Sequence, residues 1–163
     1  MIKKNQKILA IDPGTREMGI AFLDKGKLVY HGVKTFRRGI SPHETLREGR
    51  KTILQLIRDF KPQVFVVEKS FFAKNRNASL LNVFIDEMMS IAKRHGLKVL
   101  SFAPCTLKKF ICGYGRASKE DVARVIVAKY PELKVYLTQD RAWKEKFHQN
   151  MFDAVALGMM VGG

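Results

Sequence analysis

The chain is poor in cysteine, tryptophan and acid: two Cys, one Trp and 15 Asp+Glu among 163 residues. Two thiols, Cys105 and Cys112, exclude a disulfide-stapled extracellular scaffold, and their spacing fits no metal motif. They read as small apolar fillers in a reducing compartment. No apolar run approaches the roughly 20 residues that span a bilayer. The stretch after the charged start Met1-Ile2-Lys3-Lys4 is too short for a signal sequence and runs straight into Asp12. Repeats, low-complexity tracts and interdomain linkers are also lacking. The reading is one domain over 1–163, cytoplasmic, with no membrane partner.

The shortage of acid leaves a large positive balance. Against those 15 acids stand 30 Lys+Arg, a formal charge of +15. An excess of that size calls for a polyanion, and nucleic acid is the first candidate. An acidic membrane surface is the rival, but no basic amphipathic segment stands out. A hydrophobic content of 46% places the chain among globular proteins with a sizeable core.

The apolar run at 7–12 does not alternate and reads as a strand buried on both faces. Strands at 19–23 and 28–33 follow, joined by the turn Asp24-Lys25-Gly26-Lys27, and complete an antiparallel meander. Ser41-Pro42-His43-Glu44 opens a helix, apolar at Leu46, Ile53, Leu56, Ile57 and Phe60, which Lys61-Pro62 stops. Next come a strand at 64–67, a helix over 77–94, a strand at 97–101, a helix from Pro104 to Cys112, and a helix capped by Ser118. Residues 131–147 read as a mobile polar excursion, with the last helix starting near Phe147. The fold class is α/β: a five-stranded mixed sheet, meander plus parallel strands, with helices on both faces. A parallel 7–12/64–67 pair joined through helix 41–60 would place Asp12 and Glu68 at the same end of neighbouring strands.

Asp12 and Glu68 each end an apolar run, and Asp153 sits inside the last apolar helix. A carboxylate in such a setting is costly to bury unless neutralised. Several converging on one place suit a divalent cation with oxygen ligands. The structural alternatives are that Asp12 caps a turn and Glu68 pairs with a basic neighbour.

Five segments carry a resemblance: Ile11-Asp12-Pro13-Gly14-Thr15, Val67-Glu68-Lys69-Ser70-Phe71-Phe72-Ala73-Lys74-Asn75, Ala103-Pro104 leading to Lys108-Lys109, Gly113 to Lys119, and Asp153-Ala154-Val155-Ala156-Leu157. In this order, across nearly the whole chain, they resemble the RuvC-type Holliday junction resolvases of the ribonuclease H-like superfamily. The resemblance implies a dimeric endonuclease that uses two Mg2+ ions per site, with Mn2+ able to substitute. It implies symmetric cutting of four-way DNA junctions, leaving a 5′-phosphate and a 3′-hydroxyl. It makes Asp12, Glu68 and Asp153 the metal ligands. The family's fourth ligand, an Asp or His three residues before the last Asp, falls on Asn150. An amide oxygen is a neutral and poorer ligand. Either three acids and an amide suffice, or an Asp-to-Asn change disables the site, or His148 or Gln149 substitutes. The competing functions are therefore a junction-binding protein impaired at Asn150, and a less selective nuclease of the same fold acting on forks, flaps or hybrids.

DNA contacts are expected in two groups. Lys69, Phe71, Phe72, Lys74, Asn75 and Arg76 put aromatics beside cations, which suits unstacked bases; the resemblance makes Phe71 the wedge at the junction. One of the two rings is expected to face inward. Lys108, Lys109, Arg116 and Lys119 surround the Gly113–Gly115 loop, read as backbone in close approach to a phosphate or as a solvated basic face. Helix 77–94 carries more apolar surface than one stripe needs, so it is expected either to form a homodimer interface or to be buried on both faces.

Overall fold

The computed structural model describes residues 5–69, 76–137 and 142–162, and in the helices opening at 76 and 142 the side chains from 79 and 148 onward. Three strands form the meander: β1 (Lys7–Asp12), β2 (Glu17–Asp24) and β3 (Lys27–Thr35). The β2–β3 turn has Lys25 at φ 53° and Gly26 at φ 79°, the twin positive values of a hairpin turn that follows strand twist. After α1 (Pro42–Phe60) comes β4 (Val64–Glu68), then α2 (Arg76–Arg94) and β5 (Lys98–Phe102). The sheet order is β3-β2-β1-β4-β5, with β1, β4 and β5 parallel. The mixed sheet and the parallel β1–β4 pair are those expected from the sequence.

Strand alternation divides the core in two. Leu9, Ile11, Phe65 and Val67 pack under α1 and α2. Ile8, Ala10, Val64 and Val66 face α3 (Pro104–Cys112), α4 (Lys119–Lys129) and α5 (Ala142–Gly162). α5 carries buried residues on all sides, from Met151 to Leu157, as a helix enclosed by protein must.

The helix ends follow their local chemistry. The Ser41 hydroxyl accepts from the Glu44 N–H at 3.2 Å, and Lys61, at φ 48°, closes α1 by donating its N–H to the Ile57 carbonyl. α4 begins with a reciprocal cap: the Asp121 N–H donates to the Ser118 hydroxyl, and the Ser118 N–H to the Asp121 carboxylate. Gly113, at φ 86°, is the left-handed cap of α3, which accounts for that glycine without a phosphate.

Two expectations need correction. Pro131–Tyr136 forms a 3-10 helix and α5 starts at Ala142, so the described parts of 131–147 are largely helical rather than irregular. The anchors are tertiary: Leu133 is fully buried, and the Tyr130 hydroxyl donates to the Gly26 carbonyl at 2.8 Å. Cys105 is exposed and is no core filler, while Cys112 is half-buried and packs against the edge of the core. α3 is amphipathic, and Leu107 occupies its buried position.

Candidate active site

Asp12 and Glu68 share the strand parity of Ala10 and Val66, so both project from the carboxyl ends of adjacent parallel strands toward α5. Gly19 stands directly across from Asp12 in β2. A Cβ at Gly19 would lie 1.8 Å from the Asn150 carbonyl oxygen, so α5 rests on bare strand backbone there. That contact holds Asp153, one turn further along α5, over the strand ends.

Asp12 is buried. Burial, then the charge of Glu68, then that of Asp153, hold its carboxyl well above the usual range, with Lys119 opposing. Glu68 is pushed up to about 7 by burial and by Asp153, against Lys108 and Lys119. Burial also raises Asp153, while the Gln149 hydrogen bond, Lys119 and Lys108 lower it. Gln149 Nε2 donates to Asp153 Oδ1 at 3.2 Å. Three acids and two lysines from distant segments thus act on one another electrostatically.

Asn150 Nδ2 donates to the Glu17 carbonyl at 3.3 Å, leaving Oδ1 as its remaining ligand atom. The His148 ring packs on Tyr136, centroids 4.6 Å apart. Among the described residues, no group of three or more His, Cys, Asp and Glu side chains is gathered so as to hold a metal ion. The donor chemistry nonetheless fits a hard divalent cation: three carboxylates and an amide offer oxygen only, and buried acids, two of them raised further by an acidic neighbour, need positive charge.

The expected DNA contacts are dispersed. Lys108 on α3 and Lys119 at the start of α4 act on the carboxylates, while Lys109 and Arg116 are exposed nearby. Lys69 Nζ pairs with Asp86 of α2 at 2.9 Å. Phe71, Phe72, Lys74 and Asn75 lie outside the described residues, and Arg76 is described only through its backbone. Sequence reasoning weighed Gln149 as a substitute ligand; its hydrogen bond makes it a support for Asp153, a role its spacing of four on α5 allows. It missed Gly19, whose importance no local signal reveals.

The raised carboxyls give a pH dependence with a definite sign. Glu68 has an ordinary value of 4.5 and a folded value of about 7, so the folded state binds the extra proton between them. Stability is then greatest below the lower value and lost as pH rises through the upper one. Asp12 and Asp153 act in the same direction. In chelator, the melting temperature should fall between pH 5 and 8 by several degrees, at about 2–4 °C per kcal/mol for this size. Millimolar Mg2+ should restore more at pH 8 than at pH 5, measured by calorimetry. A flat or rising trend in chelator would refute the clustering of these acids.

A mixed five-stranded sheet with acids at the ends of β1 and β4 and on a helix crossing them defines the ribonuclease H-like nuclease class. The family model for the crossover junction endodeoxyribonuclease RuvC matches residues 8–142. Curated relatives include RuvC of Carboxydothermus hydrogenoformans, 33% identical over 78% of this chain and 83% of that one. RuvC of Moorella thermoacetica is 33% identical over 74% of this chain and 75% of that one. The chain belongs to the RuvC family of crossover junction endodeoxyribonucleases. Among solved structures, T. thermophilus RuvC in complex with a Holliday junction substrate superposes with a TM-score of 0.77 at 22% identity, covering 96% of this chain and 92% of that one. The yeast mitochondrial Holliday junction resolvase Ydc2 gives 0.68 at 16% identity, over 99% and 80% of the two chains. Both likenesses concern the fold. No described helix is long and apolar enough to cross a membrane.

Proposed function

We propose that this chain resolves four-way DNA junctions by hydrolysing a phosphodiester in each of two opposing strands, leaving a 5′-phosphate and a 3′-hydroxyl. One observation carries the reading. Asp12 and Glu68 leave adjacent parallel strands on the side facing Asp153, and each of the three carboxyls is held above its ordinary range. Asp12, Glu68, Asp153 and the Asn150 amide oxygen would hold two divalent cations, magnesium first with manganese substituting. Bound there, such ions supply positive charge that acidifies an attacking water and stabilises the departing 3′ oxygen. The protein's own groups prepare the place. β1 fixes Asp12 in a buried position, and Gln149 orients Asp153. Lys108 and Lys119 draw a phosphate toward the acids and offset their repulsion. The whole of 1–163 would serve as one nuclease domain acting on branched DNA.

Symmetric cutting requires two such sites, and a two-fold dimer through α2 would supply them. Much of the apolar surface of α2 is spent within the chain, since Phe84, Ile85, Met88, Ile91 and Ala92 are buried. Val83, 53% exposed, marks the face left for a partner. Val83→Glu should shift the protein toward monomer in sedimentation equilibrium. An unchanged mass would remove α2 from the interface.

A binding-only reading draws on Asn150, whose amide is engaged by the Glu17 carbonyl. Nicking of a synthetic junction with Mg2+ separates the two, with plain duplex as competitor at moderate salt. The wild-type chain should nick opposing strands in pairs, and Asn150→Asp should cut faster by about tenfold, equivalent to about 1.4 kcal/mol of barrier. Cutting by the variant alone would establish the binding-only reading.

A further inference from the structure

We propose that a cleft lined by Arg16, Arg37 and Arg38 is a second phosphate-binding bank, holding the DNA backbone of the arm next to the cut. The proposal rests on the nuclease reading of the Asp12–Glu68–Asp153 site and adds to it a contact surface on the opposite side of β1 and β2 from α3 and α4.

The cleft, about 230 Å3, is formed by Thr15 and Arg16 after β1, by Arg37 to Ile40 after β3, by the start of α1 and by Leu80 of α2. Two contacts fix it. The Phe36 N–H donates to the Arg16 carbonyl at 2.8 Å, tying the segment after β3 to the β1–β2 turn. The Phe36 ring is buried edge-on against Phe84, centroids 5.9 Å apart. Arg37 and Arg38 follow at once and are therefore held beside Arg16 on an anchored backbone. All three side chains are exposed. Arg37 stands 3.9 Å from Glu48, a long pairing on a largely solvated guanidinium. Arg16 and Arg38 make no ion pair among the described residues.

Position decides the ligand. Thr15 lies three residues beyond Asp12, so the cleft opens at the carboxyl end of β1, where the acids are. Lys108 and Lys119 approach those acids from α3 and α4. The two cationic groups therefore flank the carboxylates from opposite sides. A strand whose scissile phosphate sits at the acids carries further phosphates outward at regular intervals. Planar guanidiniums are suited to grip them in pairs.

The test is binding in chelator, by fluorescence anisotropy, to a synthetic four-way junction and to linear duplex from about 0.05 to 0.3 M salt. Each phosphate contact contributes a slope of about 0.9 in log K against log salt. Arg16→Ala/Arg37→Ala/Arg38→Ala should flatten the slope by about 2 to 3 and weaken binding at the lower salts by tenfold or more. A control, Lys27→Ala/Arg94→Ala/Lys98→Ala, removes equal charge at the far end of the sheet and should change the slope by less than one. If the triple variant melts early, Arg16→Gln/Arg38→Gln, which spares the Glu48 pairing, should give a smaller flattening of the same kind. Methylphosphonates placed within three nucleotides of the cut should weaken wild-type binding by clearly more than they weaken binding of the arginine variants. A slope equal to wild type, or equal flattening in the control, overturns the proposal. Failure of the wild-type chain to prefer junction over duplex would instead count against junction selectivity. The slope comparison on duplex would still decide the cleft.

Discussion

Asp12→Asn should abolish junction cutting while leaving junction affinity within about tenfold, because lysines and arginines supply most of the binding. The substitution keeps the shape of a buried side chain and removes its charge. Single-turnover nicking with Mg2+ should fall by at least about a thousandfold, more than about 4 kcal/mol of barrier. A second readout guards against trivial unfolding. Burial and two neighbouring carboxylates work against the charged form of Asp12, so the neutral amide should melt no earlier than wild type at pH 8 in chelator. Retained turnover in a folded variant would mean that the catalytic centre lies elsewhere.

Gly19→Ala should be nearly as damaging by a wholly steric route. The new Cβ would fall 1.8 Å from the Asn150 carbonyl oxygen and 2.9 Å from the Met151 nitrogen. Both are backbone atoms and cannot swing aside, so α5 must lift from β2 or the strand must bend. Overpacking of this kind costs about 1–3 kcal/mol. The catalytic loss should be larger than the stability loss, because lifting α5 carries Asp153 away from Asp12 and Glu68. A displacement of about 1 Å is enough for roughly a hundredfold loss in rate. Gly115→Ala is the natural comparison, since its nearest neighbour would be 3.5 Å away, an ordinary contact. Its melting temperature should stay within about 2 °C of wild type, as expected below 0.5–1 kcal/mol for a chain of this size. Equal tolerance at both positions would mean that α5 does not rest on β2 as described.

The acids at the strand ends were legible because strand parity is a local rule: residues 8, 10 and 12, like 64, 66 and 68, share a face whatever surrounds them. α1 was legible for the same reason, with Ser41, Pro42, Glu44 and Lys61-Pro62 carrying its boundaries within a few residues. The segment after Tyr130 was not. Its 3-10 helix depends on Leu133 entering a core built by distant strands and on a hydroxyl bond to Gly26, more than a hundred residues away. Helix 77–94 was legible only in part. Its apolar excess signals burial but not by whom, and most of it is met by α1 and the sheet. The aromatics Phe71 and Phe72, on which the junction-wedge expectation rests, fall outside the described residues.

The seat of α5 on Gly19 has a consequence for synthesis. Two of the three acids lie within the first 68 residues, at the ends of β1 and β4. The third arrives only with residue 153 and only when its helix docks. A half-made polypeptide on the ribosome is already rich in lysine and arginine and able to cling to nucleic acid, yet it has no complete set of scissors. Chains that stop before residue 153 should therefore bind DNA without nicking it.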